Sequence, residues 1–326
     1  MKIMLTQPEE EKKEELCHFY KKQDLLRDLI LNEGNAFSLT QNPEEANYIL
    51  FIGGINGEHN EFIIRNRIFK NYRKKCYVIS DSGFGLKSVK GIYTSLSKYE
   101  YNQSIHETGW YFPMDDLLDF AKNNNIKKKS SITCSFRGDT KTHPIRNSIS
   151  RLIKKNILDN DTFTFTNTNG SQIDAWIKYD ESKIKLLKYS YIQEILDSDF
   201  ILCPRGYNTS TMRLFEVMSL KRVPIIISDQ WVRPEGPDWN KFSIIIKENE
   251  INQLGEIIDK YKAKSKIMGI IARQEWGKFF SKEVYVKRII NKIKNLEKRR
   301  TGFPRHLLPL LNFRYLRYFI KSYTLK

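Results

Sequence analysis

Short apolar runs alternate with helix-like segments along most of the chain. Runs of consecutive apolar residues are typical of buried parallel strands, and they predict strands at residues 48–52, 76–79, 200–203 and 223–227, with a further strand at 131–136. Helices are predicted over residues 9–32, 60–73, 116–122 and 209–220. The alternation predicts an α/β protein built on parallel sheets.

The segment from residue 199 to residue 246 contains the most specific pattern. It predicts a strand, a basic glycine turn, a helix, a second strand, a polar loop and a third strand. Arg205 and Gly206 lie in the turn, and Thr209, Ser210 and Thr211 are candidate N-caps for the helix. A turn of this kind presents free backbone N–H groups and the positive end of a helix dipole, so it suits an anion.

The charged side chains of this segment suit the same ligand. Arg205 in the turn and Arg213 in the first helical turn supply guanidinium groups that match phosphate oxygens. Glu216 lies three residues after Arg213, so it shares that helix face and can accept hydrogen bonds from sugar hydroxyls. A pyrophosphate next to a ribose would fill such a site. A structural Arg–Glu pair at the start of a helix is the alternative.

Two motifs make the chain resemble the exostosin-type glycosyltransferases of family GT47, in a compact bacterial form. Residues 203–229, CPRGYNTSTMRLFEVMSLKRVPIIISD, resemble the family's C-P-R-G-x…R-x-x-E…G-x-I-P-V-I-x-x-D run. Residues 135–138 (SFRG), followed by residues 143–146 (HPIR), resemble its F-R-G…H-P-x-R element. The chain departs from the family at residues 208–209 and 221–222, which leaves the donor sugar open.

The resemblance implies a GT-B architecture, in which two Rossmann-like domains face each other across a cleft. We expect an N-terminal acceptor domain over residues 1–128, a C-terminal nucleotide-sugar donor domain over 129–297, and a basic amphipathic helical tail over 298–326. The implied enzyme is an inverting hexosyl- or pentosyltransferase that uses a nucleotide-diphosphate sugar, with UDP expected before GDP, and that requires no metal or other cofactor. The residues expected to bind the donor are Arg137, Gly138, His143, Arg146, Arg205, Gly206, Tyr207, Ser210, Thr211, Arg213, Glu216 and Asp229.

Catalysis is expected in the loops that follow the strands. Arg137 is expected to stabilise the departing diphosphate. An inverting transfer also needs a general base, for which Asp81 and Glu58 are the main candidates. Other candidates are His59, Asp115 and Asp116, and each of the five is alternatively a solvated loop residue. His143 either contacts donor phosphate or caps its helix, and Asp229 either contacts donor-sugar hydroxyls or caps a loop.

The charge of the chain broadens the range of partners. With 326 residues the chain is long enough for two domains, and its net charge of +17 indicates an anionic partner such as a nucleotide, an acidic glycan, a membrane surface or a nucleic acid. The alternative function is a non-catalytic polyanion- or nucleic-acid-binding protein. No nucleic-acid motif is visible, so nucleic acid is not the expected partner. A degenerate glycosyltransferase that binds donor without turnover is a third interpretation.

The remaining signals concern redox state, metal and location. The four cysteines contain no C-x-x-C pair, which indicates buried free thiols rather than disulfides or a zinc site. Asp197 and Asp199 match a D-x-D metal motif, but they precede a strand and lie at its amino end. No signal sequence or transmembrane segment is visible, so a cytoplasmic protein is expected.

The last 29 residues combine basic and apolar side chains without any acid. Such a segment either lies on an anionic membrane surface at the inner membrane face or packs back on the first domain. Membrane contact would suit a glycan or lipid-linked glycan acceptor. The expected products are bacterial surface glycans: capsule, lipopolysaccharide or exopolysaccharide.

Overall fold

The computed structural model describes residues 1–6, 17–53, 63–80, 83, 85–86, 89–112, 116–154, 163–170, 178 and 180–299. The chain divides into two compact units. The first comprises Met1–Phe112, Val232–Pro234 and Tyr285–Lys326, and the second comprises Pro113–Trp231 and Glu235–Val284. The chain therefore crosses between the units more than once.

The first unit is built on a parallel sheet of six strands in the order β2-β1-β3-β4-β5-β6. The strands are β1 (Lys2–Thr6), β2 (Ser38–Leu39), β3 (Tyr48–Gly53), β4 (Cys76–Ser80), β5 (Gly91–Tyr93) and β6 (His106–Thr108), with helices α1 (Cys17–Asn32) and α2 (Arg67–Tyr72) between them. β3 and β4 are buried along their whole length, as expected of continuous apolar strands in a parallel sheet.

The second unit is built on a parallel sheet of five strands in the order β11-β10-β9-β7-β8. The strands are β7 (Ile132–Gly138), β8 (Phe163–Asn167), β9 (Ser198–Pro204), β10 (Val223–Ile227) and β11 (Ile244–Ile246). The helices are α3 (Leu117–Asn123), α4 (Pro144–Lys154), α5 (Glu181–Asp197), α6 (Met212–Ser219), α7 (Trp239–Phe242), α8 (Leu254–Lys262), α9 (Ser265–Phe279) and α10 (Lys282–Lys298). The last of these begins in the second unit and continues into the first.

The predicted α/β class with parallel sheets is confirmed, and both units are of the kind that a GT-B protein contains. Strands occur at each of the five predicted places. The helix predicted to follow an N-cap among residues 209–211 begins at Met212, and Thr211 occupies the N-cap position with an extended backbone. The helix predicted over 60–73 is interrupted at Asn66, whose side chain accepts hydrogen bonds from the first N–H groups of α2.

The observed division between the units differs from the expected boundary at residues 128 and 129. The chain passes into the second unit after Phe112, so α3 belongs there. Asp116, which caps α3, accepts two hydrogen bonds from Arg273 of α9, at 2.9 and 2.5 Å. Arg273 also donates to the carbonyl of Ser219 (3.1 Å). This ion pair could not be recognised in the sequence, because its partners lie 157 residues apart.

Buried charges fasten α10 to the last strand of the first sheet. Glu107 in β6 is 2% exposed. Its carboxylate accepts from Nη2 of Arg299 (2.6 Å) and lies 3.1 Å from Nζ of Lys292. One turn away, Tyr48 of β3 donates its hydroxyl to Glu297 (3.0 Å). Arg299, the second residue of the predicted tail, therefore contacts the first sheet.

None of the helices in the described ranges combines the length and the apolar character that crossing a membrane requires. Of the predicted tail, residues 300–326 lie outside the described residues. Contact of this segment with a membrane surface stays a prediction.

Replacing Glu107 by alanine tests the buried charge cluster. The change leaves Lys292 and Arg299 without their carboxylate, and removing one member of a buried ion pair costs about 3–5 kcal/mol of unfolding free energy. The first unit should therefore unfold at a clearly lower urea concentration, measured by circular dichroism. The control is Asp119→Ala, which removes an exposed ion pair to Lys122 and should cost at most about 1 kcal/mol. Equal losses in the two variants would contradict the prediction.

Candidate functional site

The second sheet has a topological switch point between β7 and β9. From β7 the chain moves outward to β8, and it then returns to β9 on the other side of β7. The connections that leave these two neighbouring strands therefore diverge and open a crevice, the usual ligand position in such sheets. β7 ends at Gly138 and β9 ends at Pro204. Both predicted donor motifs thus lie at this one edge.

Arg146 holds the two loops of the crevice together. This side chain is 8% exposed and projects from the first turn of α4. Its Nε donates to the carbonyl of Arg205 (3.0 Å), its Nη2 to that of Pro204 (3.3 Å) and its Nη1 to that of Asp139 (3.0 Å). Burial, and then repulsion from Arg213, lower the pKa of Arg146 to about 10, so it stays charged at neutral pH.

Arg213 lies beside Arg146, in the first turn of α6. Both guanidinium groups contact the buried ring of Phe136, at 5.1 Å for Arg213 and 5.7 Å for Arg146. Nη2 of Arg213 donates to the carbonyl of Arg137. Its Nε and Nη1 are buried and have no hydrogen-bond partner among the described residues. Two charged donors are thereby left for a ligand.

Arg205 completes a group of three arginines at this edge. Its backbone N–H donates to the carbonyl of Ile227 at the end of β10 (3.0 Å), which fixes the start of the turn. Its Nε is buried without a hydrogen-bond partner in the described part of the chain. Its Nη1 lies 3.9 Å from Oε1 of Glu248, a weak pairing that leaves most of the positive charge uncompensated.

Two glycines allow the guanidinium groups to approach the backbone. A Cβ atom at Gly138 would lie 3.1 Å from Nη2 of Arg213 and 3.4 Å from Nη1 of Arg146. A Cβ atom at Gly206 would lie 3.1 Å from Nη2 of Arg146. Any larger residue would push these groups away from the loops. The turn continues into Tyr207, which is 80% exposed and available to a ligand.

The helix that follows the turn is not capped as the sequence predicts. Thr211 occupies the N-cap position of α6, but its side chain makes no capping hydrogen bond. Ser210 is buried. The expected contacts of Ser210 and Thr211 with donor stay predictions.

Glu216 is engaged by a tyrosine that the sequence analysis did not single out. Its Oε2 accepts a hydrogen bond from the hydroxyl of Tyr191 in α5 (2.6 Å). Burial raises the pKa of Glu216, while the hydrogen bond from Tyr191 and the charge of Arg213 oppose that rise. The contact with ribose stays a prediction, and Tyr191 now defines how the carboxylate is oriented.

Arg137 points to a different environment from the other arginines. Neighbouring strand residues face opposite sides of a sheet, so Arg137 lies opposite Phe136. Its Nε donates to Glu194 of α5 (2.9 Å), and the same carboxylate oxygen accepts from Thr166 (3.0 Å). The carbonyl of Arg137, rather than its guanidinium, joins the arginine group. Its expected role at the departing diphosphate stays a prediction.

His143 and Asp229 each make one of their two expected types of contact. Nδ1 of His143 accepts the N–H of Ile145 at the start of α4 (3.3 Å). Partial burial and the nearby Arg205 lower the pKa of His143. Asp229 accepts the N–H of Glu248 (3.0 Å), and Glu248 accepts the N–H of Asp229 (3.2 Å). Both side chains cap backbone, and their contacts with a donor stay predictions.

The general base is not located by the structure. Asp81, Glu58, His59 and Asp115 lie outside the described residues. Asp116, another candidate for the base, accepts hydrogen bonds from Arg273 at both carboxylate oxygens and therefore has a structural role.

Asp197, the first residue of the D-x-D pattern, has a structural role. Asp197 accepts the backbone N–H groups of Lys129 (2.6 Å) and Ser130 (3.1 Å), at the amino end of β9. Within the described ranges, no group of three or more His, Cys, Asp or Glu side chains is placed to hold a metal ion. Cys76, Cys134 and Cys203 are buried free thiols, as predicted.

Comparison with known proteins identifies the same segment of the chain. Residues 110–261 match the family model of the Exostosin GT47 domain. The chain is 28% identical over 159 residues to a protein of Arabidopsis thaliana named probable glucuronoxylan glucuronosyltransferase IRX7, covering 47% of this chain and 32% of that protein. It is 24% identical over 143 residues to the Exostosin-1 homolog of Caenorhabditis elegans, covering 42% and 37%. The chain spans about a third of the length of these relatives.

Among solved structures, Anabaena HepE in complex with UDP aligns over 90% of this chain and 100% of that one, at 10% identity and a TM-score of 0.47. The residues matched by the Exostosin GT47 domain include every predicted donor residue. Residues 110–261 therefore resemble the GT47 domain of the exostosin-type glycosyltransferases, in the same part of the chain that contains the predicted donor motifs.

Proposed function

We propose that this protein transfers a sugar from a nucleotide-diphosphate donor to a glycan, with inversion of the anomeric configuration. The second unit binds the donor, with the diphosphate at the switch point between β7 and β9. The observation that carries the proposal is that three buried atoms, Nε of Arg205 and Nε and Nη1 of Arg213, lack hydrogen-bond partners among the described residues. The match of the same segment to the Exostosin GT47 domain supports it.

The energetics of this edge favour an anion. A buried donor without a partner costs about 1–3 kcal/mol, and more if it is charged. Each nitrogen of the Arg146 guanidinium donates to a backbone carbonyl, so Arg146 adds positive charge while it holds the loops. Glu248, at 3.9 Å from Arg205, offsets only part of this charge. A diphosphate supplies both the missing acceptors and the missing negative charge.

The same groups suit the chemical step. Negative charge develops on the diphosphate as the bond to the sugar breaks, and fixed guanidinium groups stabilise it without reorganisation. In this proposal the reaction requires no metal, and either Asp81 or Glu58 deprotonates the acceptor hydroxyl.

The finer assignments extend the same proposal. UDP is the nucleotide expected first and GDP second. Because the Arabidopsis relative is named a probable glucuronosyltransferase, UDP-glucuronate is a donor to test. The acceptor is a bacterial surface glycan or its lipid-linked precursor, and the enzyme works in the cytoplasm at an anionic membrane surface.

Thermal unfolding with UDP, GDP and CMP, in the absence of metal, tests donor binding. A ligand at 100 times its Kd should stabilise the protein by about 2.7 kcal/mol. We expect one nucleotide to stabilise the wild type, and Arg205→Ala and Arg213→Ala to lose that response. The control Arg151→Ala removes the same charge from an exposed position of α4 and should respond like the wild type.

Two results would count against this function. One is a response to no nucleotide combined with tight, salt-sensitive binding of RNA or DNA, which would favour the polyanion-binding alternative. The other is an unchanged response in both arginine variants, which would place the diphosphate elsewhere.

Replacing Glu248 by glutamine should strengthen nucleotide binding. The change removes a negative charge beside Arg205 but keeps an oxygen that can accept the N–H of Asp229. We expect Kd for the nucleotide to fall by up to about fivefold, the equivalent of about 1 kcal/mol for a partly exposed pair. Isothermal titration calorimetry measures it. The control is Glu250→Gln, which lies two residues away on the same short 3-10 helix (Glu248–Gln253) and should leave Kd unchanged. Weaker binding in Glu248→Gln would mean that the carboxylate itself contacts the ligand.

A further inference from the structure

A second set of unsatisfied polar atoms lies in the turn that follows β10, which comprises residues 228–231. They are Oγ of Ser228, Oε1 of Gln230 and Nε1 of Trp231, and all three are buried without a hydrogen-bond partner among the described residues. Ser228 is 7% exposed and Trp231 5% exposed. More than nine in ten buried polar groups in proteins have a partner, so three exceptions in one turn need an explanation.

Hydrogen bonds and ring packing fix the conformation of the turn, so a loosely packed loop does not explain its unsatisfied atoms. The N–H of Trp231 donates to the carbonyl of Ser228 (3.4 Å). Asp229 and Glu248 exchange hydrogen bonds, which anchors the turn to the start of the next helical segment. The indole of Trp231 packs edge-on against Trp239, with ring centroids 5.0 Å apart. The fixed backbone keeps the three polar atoms in place without satisfying them.

The position of the turn connects it with the arginine group. β10 lies next to β9 in the sheet, and Ile227 is paired with Pro204. The carbonyl of Ile227 accepts the N–H of Arg205 (3.0 Å). Adjacent strands are about 4.8 Å apart, so the turn begins one strand away from the proposed diphosphate position.

The chemistry of the turn differs from that of the arginine group. Ser228 can donate or accept, the indole N–H of Trp231 donates, and the amide oxygen of Gln230 accepts. None of the three carries a formal charge. A phosphate group offers only acceptors and would not satisfy Gln230. A group with several hydroxyls offers donors and acceptors together, and it fits this set.

We propose that the turn at residues 228–231 binds hydroxyl groups of the transferred sugar and thereby selects the donor. This inference rests on the proposed function, since it takes the diphosphate to lie beside Arg205. The ribose of the nucleotide carries similar hydroxyl groups, so the test separates binding of the nucleotide alone from binding of the nucleotide sugar.

The test is calorimetric titration of Ser228→Ala, Trp231→Phe and wild type. The probes are UDP and GDP alone, and UDP-glucose, UDP-glucuronate, UDP-N-acetylglucosamine and GDP-mannose. We expect each variant to weaken the best nucleotide sugar about three- to tenfold, the loss of one hydrogen bond, and to change Kd of the nucleotide alone less than twofold. Trp231→Phe retains one aromatic ring against Trp239. It removes the N–H donor together with the second ring of the indole.

Ser243→Ala provides a matched control in the same unit. Ser243 is also buried, but its hydroxyl donates to the carbonyl of Trp239 (2.6 Å). Without ligand, Ser243→Ala should therefore lower the unfolding temperature, whereas Ser228→Ala should leave it unchanged or raise it. Ser243→Ala should bind every probe like the wild type.

The outcomes are distinct. If the variants weaken binding of the nucleotide alone and of the nucleotide sugar equally, the turn contacts the nucleotide. If binding of both is unchanged, the turn has no role in binding. Either result overturns the inference. Wild type that binds a nucleotide but none of the nucleotide sugars also overturns it. Wild type that binds no nucleotide overturns the proposed function itself.

Discussion

The clamp that Arg146 makes on three backbone carbonyls underlies the whole candidate site. It joins the loop after β7 to the turn after β9, two segments that are about 60 residues apart in sequence. With those loops fixed, Gly138 and Gly206 leave space for guanidinium groups next to the backbone. Arg205 and Arg213 then lie at one edge of the sheet with free N–H groups. The geometry of the proposed diphosphate position follows from this one side chain.

The clamp concentrates positive charge, and the fold compensates only part of it. Phe136 supports two of the guanidinium groups, and Glu248 lies near the third. Glu194 is bound to Arg137, and Glu216 accepts a hydrogen bond from Tyr191 while it also interacts with the charge of Arg213. A protein that retains unpaired buried donors gives up some stability, which is a common feature of binding sites. In the proposed function, the bound diphosphate supplies the missing acceptors and recovers this free energy.

Sequence analysis located the arginines because their signals are local. Arg205 follows a short apolar strand and precedes a helix, and Arg213 lies in the first turn of that helix. A parallel strand that ends in a basic glycine turn needs no distant partner to be recognised. Local patterns do not reveal Tyr191, Glu194 and Glu248, which lie 25, 57 and 43 residues from the groups that they contact. Hydrophobic periodicity places such residues on a helix or loop but does not assign their partners.

By itself, the sequence determined the parallel α/β class, the places of five strands along the chain and the glycine turn at Arg205 between a strand and a helix. These follow from short-range patterns of apolar, glycine and basic residues. Only the tertiary structure decided which partner each of the polar side chains contacts. It made Arg146 a clamp, placed Arg137 on the α5 side of the sheet and moved α3 into the second unit through Asp116 and Arg273. The reason is physical: a hydrogen bond or ion pair is directional and short, so its partner is defined only when distant strands are brought into register.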